Sequence, residues 1–467
     1  VSAPLLDRPD VRPVRAPGWG TLAVVLAGTF VTFLDFFIVN VALPSIRADL
    51  GAGPSAISLV VAGYGLTFAA GMITGGRLGD LYGRRRMFAI GLALFALASA
   101  ACGLAPTTET LVIARALQGA AGAMLTPQVL AILGTVYEGP RRSTAFAAYG
   151  FAMGIAGVLG QLIGGALIEA DVAGLGWRMI FLINVPVGVV TLLLVPRLVP
   201  ESYGGTRARL DLVGAALGAS AVAALVLPLA EGRERGWPLW TWLSLVASPL
   251  LVAAFIAHQR RRAAAGRPVL VELSLFRVPT FALGSLTALT FALVPAAFFF
   301  VLALYLQQGR GYSAVFSGVV FSVLGVGYFG ALVRAGALAR RLGAQVLALG
   351  AATVGVGCLA LLAADGASSW WALAPGLALV GAGAGLVLVP LSSTVLAGVD
   401  PRHAGAAAGV LSTAQQAGGA LGVAVIGAVF FGNGPTVHAF GVSVGVLAGV
   451  TCLTVVLTQF LQRAARP

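Results

Sequence analysis

Two side chains of opposite charge, Asp35 and Arg115, stand inside otherwise apolar stretches of this 467-residue chain. A carboxylate is costly in hydrocarbon, and one whose proton occupancy changes with solvent access can couple proton uptake to another movement. An arginine keeps its charge, so Arg115 is suited to tuning a neighbouring carboxylate rather than to carrying protons itself. Gln118 lies three residues beyond Arg115, on the same face of a helix, and can share that network. The alternatives are an Asp35 that only pairs with Arg115 or caps a broken helix, and an Arg115 that snorkels to an interface. No residue pattern offers covalent chemistry. Cys102, Cys358 and Cys452 are scattered singly through apolar stretches, and His258, His403 and His438 lie apart. No Walker-type phosphate loop occurs, so no enzyme activity, metal or cofactor is expected, and a proton gradient is the expected energy source.

The elements that must position this pair are membrane helices. Hydrophobic residues make up 59% of the chain and charged residues 10%, against about 25% charged in soluble domains. With a mean hydropathy of +0.97, that excludes a soluble enzyme, a disordered protein and a nucleic-acid-binding module. A crossing helix needs about 20 apolar residues. Runs of that kind give fourteen spans, from 20–42 at one end to 438–461 at the other. The net charge of +13 then acquires an address. With an even number of spans, the segments on the side of the termini carry +15 and the opposite segments −2, the signature of a cytoplasmic face. All 29 basic residues are arginine, a composition that points to a high-GC bacterium and hence to its inner membrane, with both termini cytoplasmic. Val1–Gly18 resembles neither a signal nor a transit peptide.

Two short patterns recur at similar separations. Gly76-Arg-Leu-Gly-Asp-Leu-Tyr-Gly83 is echoed by Gly336-Ala-Leu-Ala-Arg-Arg-Leu-Gly343, and Gln161-Leu-Ile-Gly-Gly-Ala-Leu167 by Gln415-Gln-Ala-Gly-Gly-Ala-Leu421. Their common order fits two six-span halves separated by two inserted spans. The expected organisation is a tail at 1–19, a six-helix bundle at 20–198, two further helices at 199–258, a linker at 259–278 and a second bundle at 279–467. Duplicated halves are the usual architecture for alternating access, with substrate near the midplane between them.

These motifs together resemble the major facilitator superfamily, and within it the fourteen-spanner drug:proton antiporter family. The resemblance runs from about Gly20 to Gln462. It rests on Leu34-Asp-Phe-Phe-Ile-Val-Asn-Val-Ala-Leu-Pro44, Gly76 through Arg86, Arg115-Ala-Leu-Gln-Gly119, Gly157 through Gly165, and Trp177-Arg-Met-Ile-Phe-Leu-Ile-Asn-Val-Pro-Val-Gly188. It implies an all-α polytopic fold of two six-helix bundles plus two helices, and proton coupling through Asp35 and Arg115. It departs from the family where Gln161 follows Gly160 in place of the usual Pro. Counterparts of Asp35 and Arg115 are missing around Pro295 and Pro375, so proton handling is expected in the first half alone.

The remaining candidates concern cargo and movement. Phe33, Phe37, Asn40, Gln118, Gln161, Gln415 and Gln416 are expected in a substrate cavity, with Phe30, Tyr64, Phe298, Phe299 and Tyr305 as further aromatics, although most such rings face lipid or packing. Gly76, Asp80, Gly83, Arg84 and Arg85 form an expected gating loop with tight glycine turns, or a plain orientation signal. Gly150, Gly154, Gly157, Gly160, Gly164 and Gly165 set small residues along span five for close helix approach. The expected protein is a monomer that meets membrane lipids, protons and a small amphiphilic substrate, and no nucleic acid. Its expected work is proton-coupled export of drugs or natural products, and hence antibiotic resistance. Symport or uniport of a metabolite, a non-transporting sensor and a membrane-embedded hydrolase are the competing readings.

Overall fold

The computed structural model describes residues 18–204, 211–233, 235–364, 369–397, 399, 404–434 and 436–464. Most of the expected tail, part of the connection before the inserted helices, and His403 lie outside them. Among the described residues there are no strands, and fourteen helices are long and apolar enough to cross a membrane. The first six are α1 (Trp19–Leu50), α2 (Pro54–Tyr82), α3 (Arg84–Gly103), α4 (Thr108–Val136), α5 (Thr144–Ala170) and α6 (Gly176–Leu198). The inserted pair is α7 (Leu212–Glu231) and α8 (Leu239–Ala264). The last six are α9 (Pro279–Gly309), α10 (Ala314–Leu342), α11 (Gln345–Ala363), α12 (Trp370–Leu396), α13 (Ala407–Gly432) and α14 (Thr436–Ala464).

These sequences fold as helices because hydrocarbon offers no partner to an unpaired backbone amide. Proline at Pro44, Pro127, Pro295 and Pro390 is carried inside them. One break has a local cause with consequences for the site. Helix α6 is interrupted at Ile183, where Pro186 has no N–H to offer the Leu182 carbonyl.

The Gly76–Arg86 stretch is not a loop. Helix α2 runs through Gly76 and Asp80 to Tyr82, and α3 starts at Arg84. Gly83 alone breaks the helix, with φ of 101°, a conformation that suits glycine. The charges that suggested a loop only mark where the helices leave the apolar layer. Gly343 ends α10 in the same way with φ of 56°, so the echoed motif is a repeated helix stop.

Packing repeats across the chain pair by pair. Helix α2 packs on α4, α3 on α4, α1 on α5 and α6, and α3 on α6. In the last six, α10 packs on α12, α11 on α12, α9 on α13 and α14, and α11 on α14. The two bundles meet through α2 against α13 and α5 against α10, while α7 lies on α2 and α13 and carries α8 with it. A polar knot fastens the inserted pair. Asp211 caps α7 through Gly214 N, receives Gln259 Nε2 at 2.8 Å, and lies 2.8 Å from His258 and 3.5 Å from Arg262. Burial pushes its carboxyl upward, but these donors outweigh that and hold it below the usual carboxylate value.

Alternating crossings put both termini at one end of the bundle. Among the described residues, three hydrogen bonds that join the two halves lie at the other, far end. Arg47 Nη1 donates to Gln308 at 3.4 Å, Gln307 Nε2 to the Val41 carbonyl at 2.7 Å, and Val315 N to Glu169 at 2.9 Å. Glycines bring the backbones together there. A Cβ on Gly318 would stand 2.7 Å from the Gln161 carbonyl oxygen and 2.9 Å from Leu162 Cα. Gly318→Val therefore forces α5 and α10 apart, and overpacking of this kind costs about 1–3 kcal/mol. Its thermal midpoint in detergent should fall, whereas Gly330→Val, at a position with open space on the same helix, should leave the midpoint near wild type. Equal midpoints for the two variants would contradict this account of the closure.

Candidate functional site

Asp35 and Arg115 meet at full burial. Arg115 Nη1 donates to Asp35 Oδ2 at 2.5 Å and to Gln118 Oε1 at 2.6 Å, and neither charged side chain is exposed at all. Arg115 is therefore not at an interface. The other carboxylate oxygen accepts from Gln118 Nε2 and Asn184 Nδ2, both at 2.8 Å. Ser99 Oγ receives Gln118 Nε2 at 2.7 Å and Asn184 at 3.4 Å. Arg115 Nε donates to the Val60 carbonyl at 3.0 Å. Five helices thus contribute to one network: α1, α2, α3, α4 and α6.

Asn184 and Ser99 belong to this network and were not anticipated from their residue types. Asn184 stands just after the interruption of α6, and its amide reaches Asp35 from there. The signal was present in the stretch from Trp177 to Gly188, where one amide side chain precedes a proline in an apolar run. Ser99 carries no such signal, because single hydroxyls are common in membrane helices. Among the described residues, Arg115 Nη2 and Asn184 Oδ1 have no hydrogen-bond partner. The guanidinium carbon sits 4.4 Å from the Tyr64 ring centroid and 5.6 Å from that of Phe181, so aromatic faces take up charge that no acceptor meets.

Tyr64 has the pair on one side and a cavity of about 250 Å³ on the other. The cavity lies between the halves and reaches from the midplane toward the end carrying the termini. Phe33, Phe37, Gln415 and Gln416 line it, as do Tyr64 and Phe299. Asn40, Gln118 and Gln161 do not, and neither do Phe30, Phe298 and Tyr305. Asn40 turns back to the Phe37 carbonyl at 3.0 Å, and Gln118 is consumed by the ion pair. Gln161 is wholly buried and donates to the Phe37 carbonyl at 2.6 Å, pinning α5 to α1. Sequence spacing does not reveal which face of a helix meets the cavity, and here the amides point into packing. Tyr305 stacks on Phe440, with centroids 4.0 Å apart.

The glycines of α5 divide between two neighbours. Gly157 faces the Phe37 ring, Gly160 the Ile38 backbone and Gly164 the Ile38 side chain, while Gly165 meets the Ala314 carbonyl of α10. Close approach to α1 and to the other half is therefore built into one helix. At the terminal end, Arg84 pairs with Asp80 at 3.0 Å and Arg85 lies 3.6 Å from Glu201. Glu201 also accepts from the backbone N–H of Arg85 at 2.9 Å, capping the start of α3, and Gly204 N donates to the Asp80 carbonyl. Gly76 faces Pro127 of α4. These contacts all join elements of the first half.

Removing one partner of a buried pair costs about 3–5 kcal/mol, because the other charge is stranded. Arg115→Leu should lower the thermal midpoint in detergent more than the double variant Asp35→Asn/Arg115→Leu, which removes both charges. A double variant less stable than Arg115→Leu would mean that the pair is not the stabilising unit.

Residues 25–423 match the family model of the Major Facilitator Superfamily. The chain is 39% identical over 426 residues to a probable actinorhodin transporter of Streptomyces coelicolor, covering 90% of this chain and 74% of that one. It is 37% identical to a puromycin resistance protein of Streptomyces alboniger, over 95% and 91% of the two chains. It is also 38% identical to a cephamycin export protein of Amycolatopsis lactamdurans, over 87% and 84%. Among solved structures, a D-xylose–proton symporter superposes with a TM-score of 0.67 at 15% identity, covering 94% of this chain and 97% of that one. A peptide transporter of the POT family gives 0.68 at 16% identity, over 94% and 96%; at these identities the likeness concerns the fold. The chain is a multi-pass membrane protein that belongs to the major facilitator superfamily, and its fourteen spans and exporter relatives match the fourteen-spanner drug:proton antiporter family.

Proposed function

We propose that this protein exports amphiphilic drugs or natural products in exchange for inward-moving protons, by alternating access between its two bundles. The observation that carries the proton coupling is the buried Asp35–Arg115 pair, one aromatic ring away from the central cavity. A carboxylate held there by an arginine and two amides is ionised at the cost of desolvation and stabilised by its donors, so adding a proton weakens a bond that ties α1 to α4. Protonation and substrate occupancy then bias one two-state movement, which is the requirement for coupling. The drug cargo is supported by relatives named for actinorhodin, puromycin and cephamycin.

The excess of arginine on the terminal end supports a bacterial inner membrane with both termini in the cytoplasm. In that orientation the far-end closure is periplasmic and the cavity reaches toward the cytoplasm. The protein carries its proton site in the first half alone and uses no cofactor. Asp80, Arg84, Arg85 and Glu201 serve to stiffen the terminal end of that half as it rocks.

Reconstitution in proteoliposomes tests the reading, with a panel of antibiotics, dyes and metabolites and an imposed pH gradient. Export should be driven by protons moving the opposite way. Asp35→Asn should lose gradient-driven transport at least tenfold while still binding cargo. Full retention of gradient-driven transport in Asp35→Asn removes Asp35 from the mechanism, and cargo moving in the same direction as protons replaces export by symport.

A further inference from the structure

The group assigned to protons is separate from the surface that would meet cargo. Among the described residues, none of those lining the central cavity is Asp, Glu, Lys, Arg or His. Its walls are aromatic and aliphatic, with Phe33, Phe36, Phe37, Phe68, Phe291 and Phe299 supplying rings from both halves. Its polar groups are neutral, among them Tyr64, Thr126, Ser412, Gln415 and Gln416.

We infer that the cargo is an uncharged aromatic amphiphile bearing hydrogen-bonding oxygen or nitrogen atoms, and that the cavity selects against permanent cations. This rests on the export reading above and names its substrate class. A cation leaving water for this cavity would find no carboxylate to pair with, and an unpaired charge in an apolar site is disfavoured. Asp35 does not fill that role. Its two oxygens are taken by Arg115, Gln118 and Asn184, and it has no exposed surface. The guanidinium of the neutral pair lies against the cavity-lining Tyr64 ring, 4.4 Å from its centroid. The guanidinium already occupies one face of that ring, which leaves less of its π-density for a second cation.

The neutral polar groups fit an uncharged partner. Thr126 is 2% exposed, lines the cavity, and its hydroxyl has no hydrogen-bond partner among the described residues. That oxygen is covered by surrounding atoms, so cargo gains a bond to it only where the Thr126 side chain turns toward the cavity. Gln415 and Gln416 line the same cavity from α13, each able to donate and accept. Apolar walls with a few neutral polar groups are the composition of small-molecule sites that read shape and hydrogen bonding.

Two probes of similar aryl bulk separate charge from shape: tetraphenylphosphonium, a permanent cation, and triphenylphosphine oxide, which is neutral and accepts hydrogen bonds. Equilibrium binding to the purified full-length protein in nanodiscs should be saturable for the oxide and at least tenfold tighter than for the phosphonium. Phosphonium binding as tight as that of the oxide, or no saturable oxide binding, overturns the inference. Gln415→Glu places a carboxylate in the cavity and should raise phosphonium affinity at least tenfold; unchanged affinity in the folded variant overturns the cavity as the cargo site. If the variant does not fold, the wild-type pair of probes still decides. Neither measurement uses a proton gradient, so a failure of proton coupling leaves this result standing, and a failure here leaves proton coupling standing.

Discussion

A full charge inside hydrocarbon is tolerable when it is paired and its remaining polar atoms are largely hydrogen-bonded or covered by aromatic faces, and the first half of this protein is organised around that requirement. Asp35 and Arg115 draw polar groups from five helices, and each helix must come close enough to deliver its group. Thr67 Oγ1 donates to the Ala116 carbonyl at 2.7 Å, where α2 and α4 nearly touch. A Cβ at Gly119 would collide with the Tyr64 carbonyl, and one at Gly75 would stand 2.9 Å from Met124 Cα. Gln128 fills the space left by Gly79 and donates to the Gly75 carbonyl at 2.7 Å. These small residues do not make the pair, but without them α2 and α4 could not approach closely enough to enclose it.

The second half has the same packing plan and, among the described residues, no such pair. Its core is aromatic and aliphatic, with Phe281, Phe291, Phe298, Phe300 and Tyr305 buried in α9. A row of rings joins the two halves. Phe68, Tyr64, Phe36, Phe37, Phe299 and Phe321 follow one another at centroid spacings of 5.8, 5.8, 5.1, 5.2 and 5.4 Å. The step from Phe37 to Phe299 crosses between the bundles. Tyr64, the second ring of the row, covers the guanidinium, and Phe321 at the far end of the row belongs to the second half. A change in the ion pair that moved Tyr64 would therefore act on packed, discrete side chains, which is the physical basis for transmission over such distances. The bonds described at the far end include no ion pair between the halves: Arg47 meets an amide and Glu169 a backbone N–H, so opening there separates no paired charges.

Legibility in the sequence followed the dimensionality of each signal. Hydrophobic length is read along one dimension, and fourteen spans emerge from it; 20–42 became Trp19–Leu50 because the helix continues past the apolar layer. Asp35 and Arg115 were legible because charge is rare at such depth. The third dimension was not legible. Gln118, expected both in the ion-pair network and in the cavity, serves only the first, and Gln161, expected in the cavity, ties α5 to α1. Asn184 became a ligand of Asp35 through a helix interruption that hydropathy does not register. The knot of Asp211 and His258 with Gln259 and Arg262 depends on two helices lying side by side, which spacing along the chain does not show.

The repeat shows which properties a duplication retains. Gly83 and Gly343 still end equivalent helices, and Gly164 and Gly418 still receive the equivalent neighbours α1 and α9. Gln161 and Gln415 occupy matching helices, yet one is sealed in packing and the other lines the cavity. Shape has been kept where chemistry has diverged. Two bundles of like shape can rock about a common interface with little difference in packing between the end states. A small bias is then enough to shift the balance, since a two-state equilibrium responds to any differential interaction of a few kcal/mol. Placing the only buried ion pair described in one bundle supplies that bias at a single position. It also leaves the opposite wall of the cavity free to be shaped by cargo alone.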